Sequence, residues 1–165
     1  MTEIREERSG DLASIRAVNI RAFGRDREAN IVDALRANRA TVLSLVATRD
    51  GETVGHLLYS PITIGDAAAA ALGPMAVVPE CQREGVGSAL VSAGQQRLKE
   101  LGCPLVVVVG HPAFYPRFGF EPAGQYGIFS EWKVPDDVFM VATLSEAGAH
   151  LKGLAKYRPE FSTVL

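Results

Sequence analysis

The chain has 165 residues, 47% of them hydrophobic and 22% charged, and 17 Lys and Arg against 19 Asp and Glu give a formal net charge of −2. A length of this order predicts a single domain, residues 1–165, that buries its core without metals or disulfides, and the lack of a basic excess argues against a nucleic-acid partner. Cys81 and Cys103 fit no metal-ligand spacing and read as reduced thiols, and the charged start, Met1 to Arg8, has no apolar stretch of a signal peptide. With no run of membrane-spanning length, the expected location is cytoplasmic, with no membrane partner and no metal.

Ile4 to Glu7 predicts a first strand. Asp11 is placed to cap a helix in which Leu12, Ile15, Val18, Ala22 and Phe23 recur at helical spacing. A second helix is expected over Glu28 to Ala37, with Ile31, Val32 and Leu35 inward. Leu43 to Thr48 and Thr53 to Ile64 read as strands joined at Asp50-Gly51, a hairpin signal. After a turn at Gly65-Asp66, Ala68 to Val78 reads as a strand interrupted by Gly73-Pro74. Proline donates no ladder hydrogen bond, so a bulge or an end to pairing is expected there. Val86 to Leu101 is the clearest helix, with Val86, Leu90, Val91, Leu98 and Leu101 on one stripe and Gly102 as its C-cap. Leu105 to Val109 is wholly apolar, as in a strand covered on both faces in a parallel pairing. Phe114 to Phe118 reads as a short helix ended by Gly119, and Val138 to Leu144 as the last strand. Residues 145–165 hold Leu151, Leu154, Tyr157 and Phe161 at loosely helical spacing and receive no placement.

Residues 82–89, Gln-Arg-Glu-Gly-Val-Gly-Ser-Ala, lie between the apolar run Met75 to Val78 and the helix from Val86. A strand, a glycine-bearing loop and a helix in that order make an anion cradle: glycine admits close backbone approach, and the helix start offers unpaired N–H groups and partial positive charge. The segment is neither G-x-x-x-x-G-K-[ST] nor G-x-G-x-x-G. It matches [QR]-[QR]-x-G-x-[GA] after a strand ending in Val-x-Pro, and so resembles the pyrophosphate loop of the GNAT superfamily of acyl-CoA-dependent N-acetyltransferases. Residues 111–122, His-Pro-Ala-Phe-Tyr-Pro-Arg-Phe-Gly-Phe-Glu-Pro, resemble that superfamily's late helix and are similar to a stretch of the arylalkylamine N-acetyltransferases. The combination resembles a subgroup of small bacterial acetyltransferases of unassigned substrate. The likeness spans roughly residues 3–144.

The resemblance implies an α/β fold with a mixed central sheet splayed between strands 4 and 5, and acetyl-CoA as acyl donor. Gln82, Arg83, Glu84, Gly85, Val86, Gly87 and Ser88 would hold the pyrophosphate. Met75, Ala76 and Val77 would offer backbone hydrogen bonds to the pantetheine arm, with the amide of Val77 or of a neighbour as oxyanion donor, and Phe114 would touch that arm. Tyr115 is implied as general acid for the departing thiolate. The histidines that arylalkylamine N-acetyltransferases carry before the loop are replaced here by Ala71 and Gly73, so the base is open: His111 is better placed than His56, and a water relay is the alternative. The acceptor is expected to be a small-molecule or peptide amine attacking directly through a tetrahedral intermediate, with specificity set by the early helices, the strand around His56 and residues 123–137. Homodimerisation stays open. Two rivals remain: a non-catalytic acyl-CoA-binding sensor or partner module, favoured by the missing histidines, and a nucleotide-binding domain with a degenerate glycine loop.

Overall fold

The computed structural model describes residues 1–163; Val164 and Leu165, the end of the unplaced tail, lie outside the described residues. Its elements in chain order are β1 (Thr2–Glu6), α1 (Leu12–Phe23), α2 (Arg27–Ala37), β2 (Leu43–Arg49), β3 (Glu52–Ile64), β4 (Ala67–Val77), α3 (Val86–Glu100), β5 (Leu105–Val109), β6 (Glu121–Pro122), β7 (Ile128–Ser130), β8 (Phe139–Thr143), β9 (Gly153–Lys156) and α4 (Glu160–Thr163). Short 3-10 segments cover Pro79–Cys81, Tyr115–Phe118 and Ala147–His150, among others. The fold is mixed α/β: β4 and β5 pair in parallel, as do β7 and β9, whereas β1, β2 and β3 pair antiparallel and so do β5, β8 and β6. The chain forms two compact units, through both of which β3 and β4 run.

The first unit comprises residues 1–60, 73–94 and the chain from Pro159. Asp50 and Gly51, with φ of 49° and 78°, make the tight turn between β2 and β3, the double left-handed geometry that matches strand twist. Ile15 of α1 and Ile31, Val32 and Leu35 of α2 form one buried cluster with Val46 of β2 and Leu58 of β3. The helical stripe is narrower than the sequence pattern, since Leu12 and Phe23 at the ends of α1 are exposed. Asp11 is not a side-chain cap. Its carboxylate receives both Arg5 guanidinium nitrogens, at 2.7 and 3.0 Å, and the Arg8 amide at 2.6 Å. That pairing holds the carboxyl down to about 2, Arg5 being the larger cause.

Helix α3 approaches β3 closely at two glycines. A Cβ on Gly94 would lie 2.3 Å from the Tyr59 hydroxyl, and one on Gly55 3.0 Å from Val86. The start of α3 is thereby seated on the strand beneath it. At its far end Leu101 is exposed, while Gly102, with φ 82°, closes the helix as expected.

The second unit comprises residues 61–72 and 95–158. Leu105 to Val108 are buried, because β5 lies parallel to β4 on one side and antiparallel to β8 on the other. The parallel register is Ala70 with Val106 and Ala71 with Val107. It ends before Gly73-Pro74, whose peptide is cis. β8 is not the last strand: β9 follows, antiparallel to β3 and parallel to β7. In β9 Ala155 is buried and Leu154 is 47% exposed. The large apolar residue that suggested a helix therefore points outward, and a small one packs inward.

Candidate active site

After Val77 the chain turns through Pro79–Cys81 and the exposed residues Gln82–Gly85 before α3 begins. The Gln82 side-chain amide donates to the Val77 carbonyl at 2.9 Å, tying the loop to the end of β4. Arg83 and Gly85 adopt left-handed φ of 63° and 90°. Such a conformation suits glycine and strains an arginine. The Ala89 amide bonds to the Gly85 carbonyl at 3.0 Å. The amides of Val86, Gly87 and Ser88 precede that bond and have no carbonyl within the helix to reach. Just before them, a Cβ built on Gly85 would meet no atom within 4 Å beyond its chain neighbours. A run of free amides at a helix start, with open space beside it, fits a phosphate or pyrophosphate.

The acids of this loop are paired. Arg49 of β2 donates to Glu84 at 2.6 Å, and Arg21 of α1 holds both oxygens of Glu80. Neither arginine carried a local signal, because each lies more than thirty residues before its partner. From β4 into the residue that follows it, Pro74, Ala76 and Val78 are buried and alternate with the half-buried Gly73, Met75 and Val77. Cys81 is buried under the loop.

The second unit holds the other set of residues. β5 runs into Gly110, whose amide bonds to the Val138 carbonyl at 2.9 Å. The His111 carbonyl accepts the amides of Phe114 and Tyr115 at 3.1 and 3.4 Å, while its side chain is exposed. The expected short helix is a 3-10 turn over Tyr115–Phe118, ended by Gly119 at φ 88°. The Tyr115 ring is buried, edge-on to Phe114 at 4.9 Å and to Phe120 at 5.5 Å. Burial pushes its phenol up to about 12. Phe114 is half-buried, and the Arg117 guanidinium lies 4.9 Å over its ring, a cation–π contact.

His56 has a structural role. It is fully buried on β3, with Asn19 Nδ2 3.2 Å from Nδ1 and Ser44 Oγ 2.9 Å from Nε2. The Asn19 nitrogen is a donor, so Nδ1 accepts and Nε2 carries the proton toward Ser44. Ser44 passes its own proton to Glu7 at 2.5 Å, and Arg36 closes the chain on Glu7. Burial is the main cause that lowers the imidazole to about 4. With both nitrogens engaged, His56 has no free lone pair for an amine.

A cavity of about 470 Å³ lies within the second unit, lined by residues including Ile128, Phe129, Trp132, Lys133, Asp136 and Phe139. Most of its lining comes from the 123–137 stretch. Among the described residues no helix is long and apolar enough to cross a membrane, and no cluster of three or more His, Cys, Asp or Glu could hold a metal.

Residues 40–122, half of the chain, match the family model described as an acetyltransferase (GNAT) domain. The chain is 39% identical to the Escherichia coli N-acetyltransferase YjhQ over 134 residues, 77% of this chain and 74% of that protein. It is 34% identical to the E. coli N-acetyltransferase YhbS over 163 residues, 96% of this chain and 98% of that protein. The crystal structure of YhbS in complex with CoA superposes with a TM-score of 0.93, at 33% identity over 98% of this chain and 92% of that one. A Brucella melitensis GNAT acetyltransferase in complex with acetyl-CoA gives a TM-score of 0.83, at 34% identity over 98% of both chains. On a family model spanning half its length and relatives above 30% identity along most of it, the chain belongs to the GNAT family of acetyltransferases.

Proposed function

We propose that this N-acetyltransferase takes the acetyl group from acetyl-CoA and passes it to a primary amine by direct attack. The observation that carries the reading is the loop before α3: free amides of Val86, Gly87 and Ser88 beside left-handed Gly85, with both loop carboxylates neutralised by arginines. Gln82 through Ser88 take the pyrophosphate, and Met75, Ala76 and Val77 meet the pantetheine arm through their backbone. The CoA and acetyl-CoA bound to its two structural relatives support the same donor.

In the reaction a neutral amine forms a C–N bond to the thioester carbonyl carbon. The oxyanion accepts a hydrogen bond from the Val77 amide or its neighbour. The C–S bond then breaks, and Tyr115 donates to the departing sulfur. A phenol near 12 is protonated throughout the physiological range. A thiol lies near ~8.5, so the phenol stabilises the thiolate by hydrogen bonding and transfer is completed with the proton the amine gives up. Relayed by His111 or water, that proton replaces the one Tyr115 gives to sulfur, so CoA leaves as the thiol and the phenol is restored.

Calorimetric titration with acetyl-CoA, NAD and ATP, followed by thiol release with a panel of amines, tests the reading. Selective acetyl-CoA binding with amine-dependent thiol release is expected. Binding without release from any amine favours an acyl-CoA-binding module, and a preference for NAD or ATP refutes the loop assignment. Replacing Tyr115 with Phe is expected to lower kcat at least ~10-fold, with acetyl-CoA affinity within about twofold; an unchanged kcat removes Tyr115 from the mechanism.

A further inference from the structure

We propose that Gly110 is a positioning residue for acetyl transfer: the space left by its missing side chain is the seat that holds the Tyr115 ring. The proposal rests on Tyr115 being the proton donor. A Cβ built on Gly110 would lie 2.4 Å from Cε2, 3.0 Å from Cδ2 and 3.3 Å from Cζ of Tyr115. Cζ carries the hydroxyl and Cε2, the nearest of the three, is adjacent to it, so the contact bears on where the oxygen points.

Neither partner has room to yield. Gly110 is anchored by its amide bond to Val138, directly after residues of β5 that pair with β8. The Tyr115 ring is backed by Phe114 and by Phe120, which is 1% exposed. A close-packed interior accommodates an added methyl only by moving its neighbours. Gly110 is absent from the left-handed φ region that gathers so many of this chain's glycines. Alanine is therefore compatible with its backbone, and the requirement is for space alone.

The test is Gly110→Ala, Tyr115→Phe and the double variant, with kcat, acetyl-CoA Kd and melting temperature measured for each. Gly110→Ala is expected to stay folded, bind acetyl-CoA within about twofold of wild type, and lose ~10-fold or more in kcat. Because Gly110 acts through the hydroxyl, the loss should vanish in the Tyr115→Phe background. A wild-type kcat in Gly110→Ala, or an undiminished loss in the double variant, overturns the proposal. If Tyr115→Phe is itself at wild-type rate, the reading of Tyr115 fails and this proposal with it. If Tyr115→Phe is slow and Gly110→Ala is not, only Gly110 is lost. Should Gly110→Ala melt below the assay temperature, Gly110→Ala with Phe120→Leu gives the ring room behind it. Recovered folding without recovered kcat then supports the seat, and kcat equal to that of Phe120→Leu alone overturns it.

Discussion

Lowering the pH from 7 to 4 should destabilise this fold through His56, by an amount that follows from its environment. The imidazole is fully buried among Asn19, Ser44 and the Glu7–Arg36 pair, and is held neutral down to about 4. In the unfolded chain it titrates near ~6.5. Between those values the unfolded state binds the proton and the folded state does not, so stability rises with pH across that window and falls as pH is lowered. A separation of ~2.5 units, integrated from pH 7 to pH 4, amounts to about 3 kcal/mol. For a domain of this length that is a fall of roughly 6–12 °C in melting temperature. Thermal melts of wild type and His56→Gln between pH 7.5 and 4 isolate the effect, because carboxylates titrate alike in both. Glutamine can accept from Asn19 and donate to Ser44 without titrating. The wild-type advantage should shrink steadily below pH 6.5. A difference in melting temperature that stays constant over this range would refute the argument that His56 is buried neutral.

Gly94→Ala should destabilise by ~1–3 kcal/mol, because its Cβ would meet the hydroxyl of the fully buried Tyr59 at 2.3 Å; denaturant unfolding measures it, and a change under ~0.5 kcal/mol would mean that α3 slides without cost. Arg49→Gln should weaken acetyl-CoA binding about 2- to 10-fold at low salt by leaving the Glu84 carboxylate uncompensated beside the helix start. Glu84→Gln in the same chain should restore affinity, and calorimetry that finds no restoration would show that Arg49 acts otherwise.

The parts of the fold that sequence exposes are those with a local physical cause. Leu105 to Val109 is a run of five apolar residues and becomes the doubly flanked β5. Asp50-Gly51 can hardly be anything but a tight hairpin turn. Gly85 and Gly87 mark the loop because backbone conformation and a helix start are properties of a few adjacent residues. What stayed hidden depends on contacts far apart in the chain. His56 and Asn19 are 37 residues apart, and nothing near either announces the pair. Asp11 stands at the N-cap position of α1 as expected, but its carboxylate binds Arg5, six residues back, and not the first amides of that helix. β6 and β7 are two and three residues long, too short to show any period. β9 was obscured by Leu154 on its outer side, and the seat of Tyr115 is an absence, a hydrogen where another residue has carbon.

A chain of net charge −2 offers no long-range attraction to a polyanionic donor. On the proposed reading, binding by this loop would come from short-range groups, and the first unit is arranged to supply them. The free amides at the start of α3 are partial charges fixed in the backbone, which need no side chain to be ordered on binding. The two acids that flank them are cancelled by Arg21 and Arg49. Arg83 is exposed and forms no ion pair among the described residues, so no carboxylate there is matched to it. The negative residues of the loop thus act as anchors for its shape, because each fastens the loop to a helix or a strand through an arginine. An anion arriving there would meet oriented dipoles and Arg83, with the neighbouring carboxylates already neutralised.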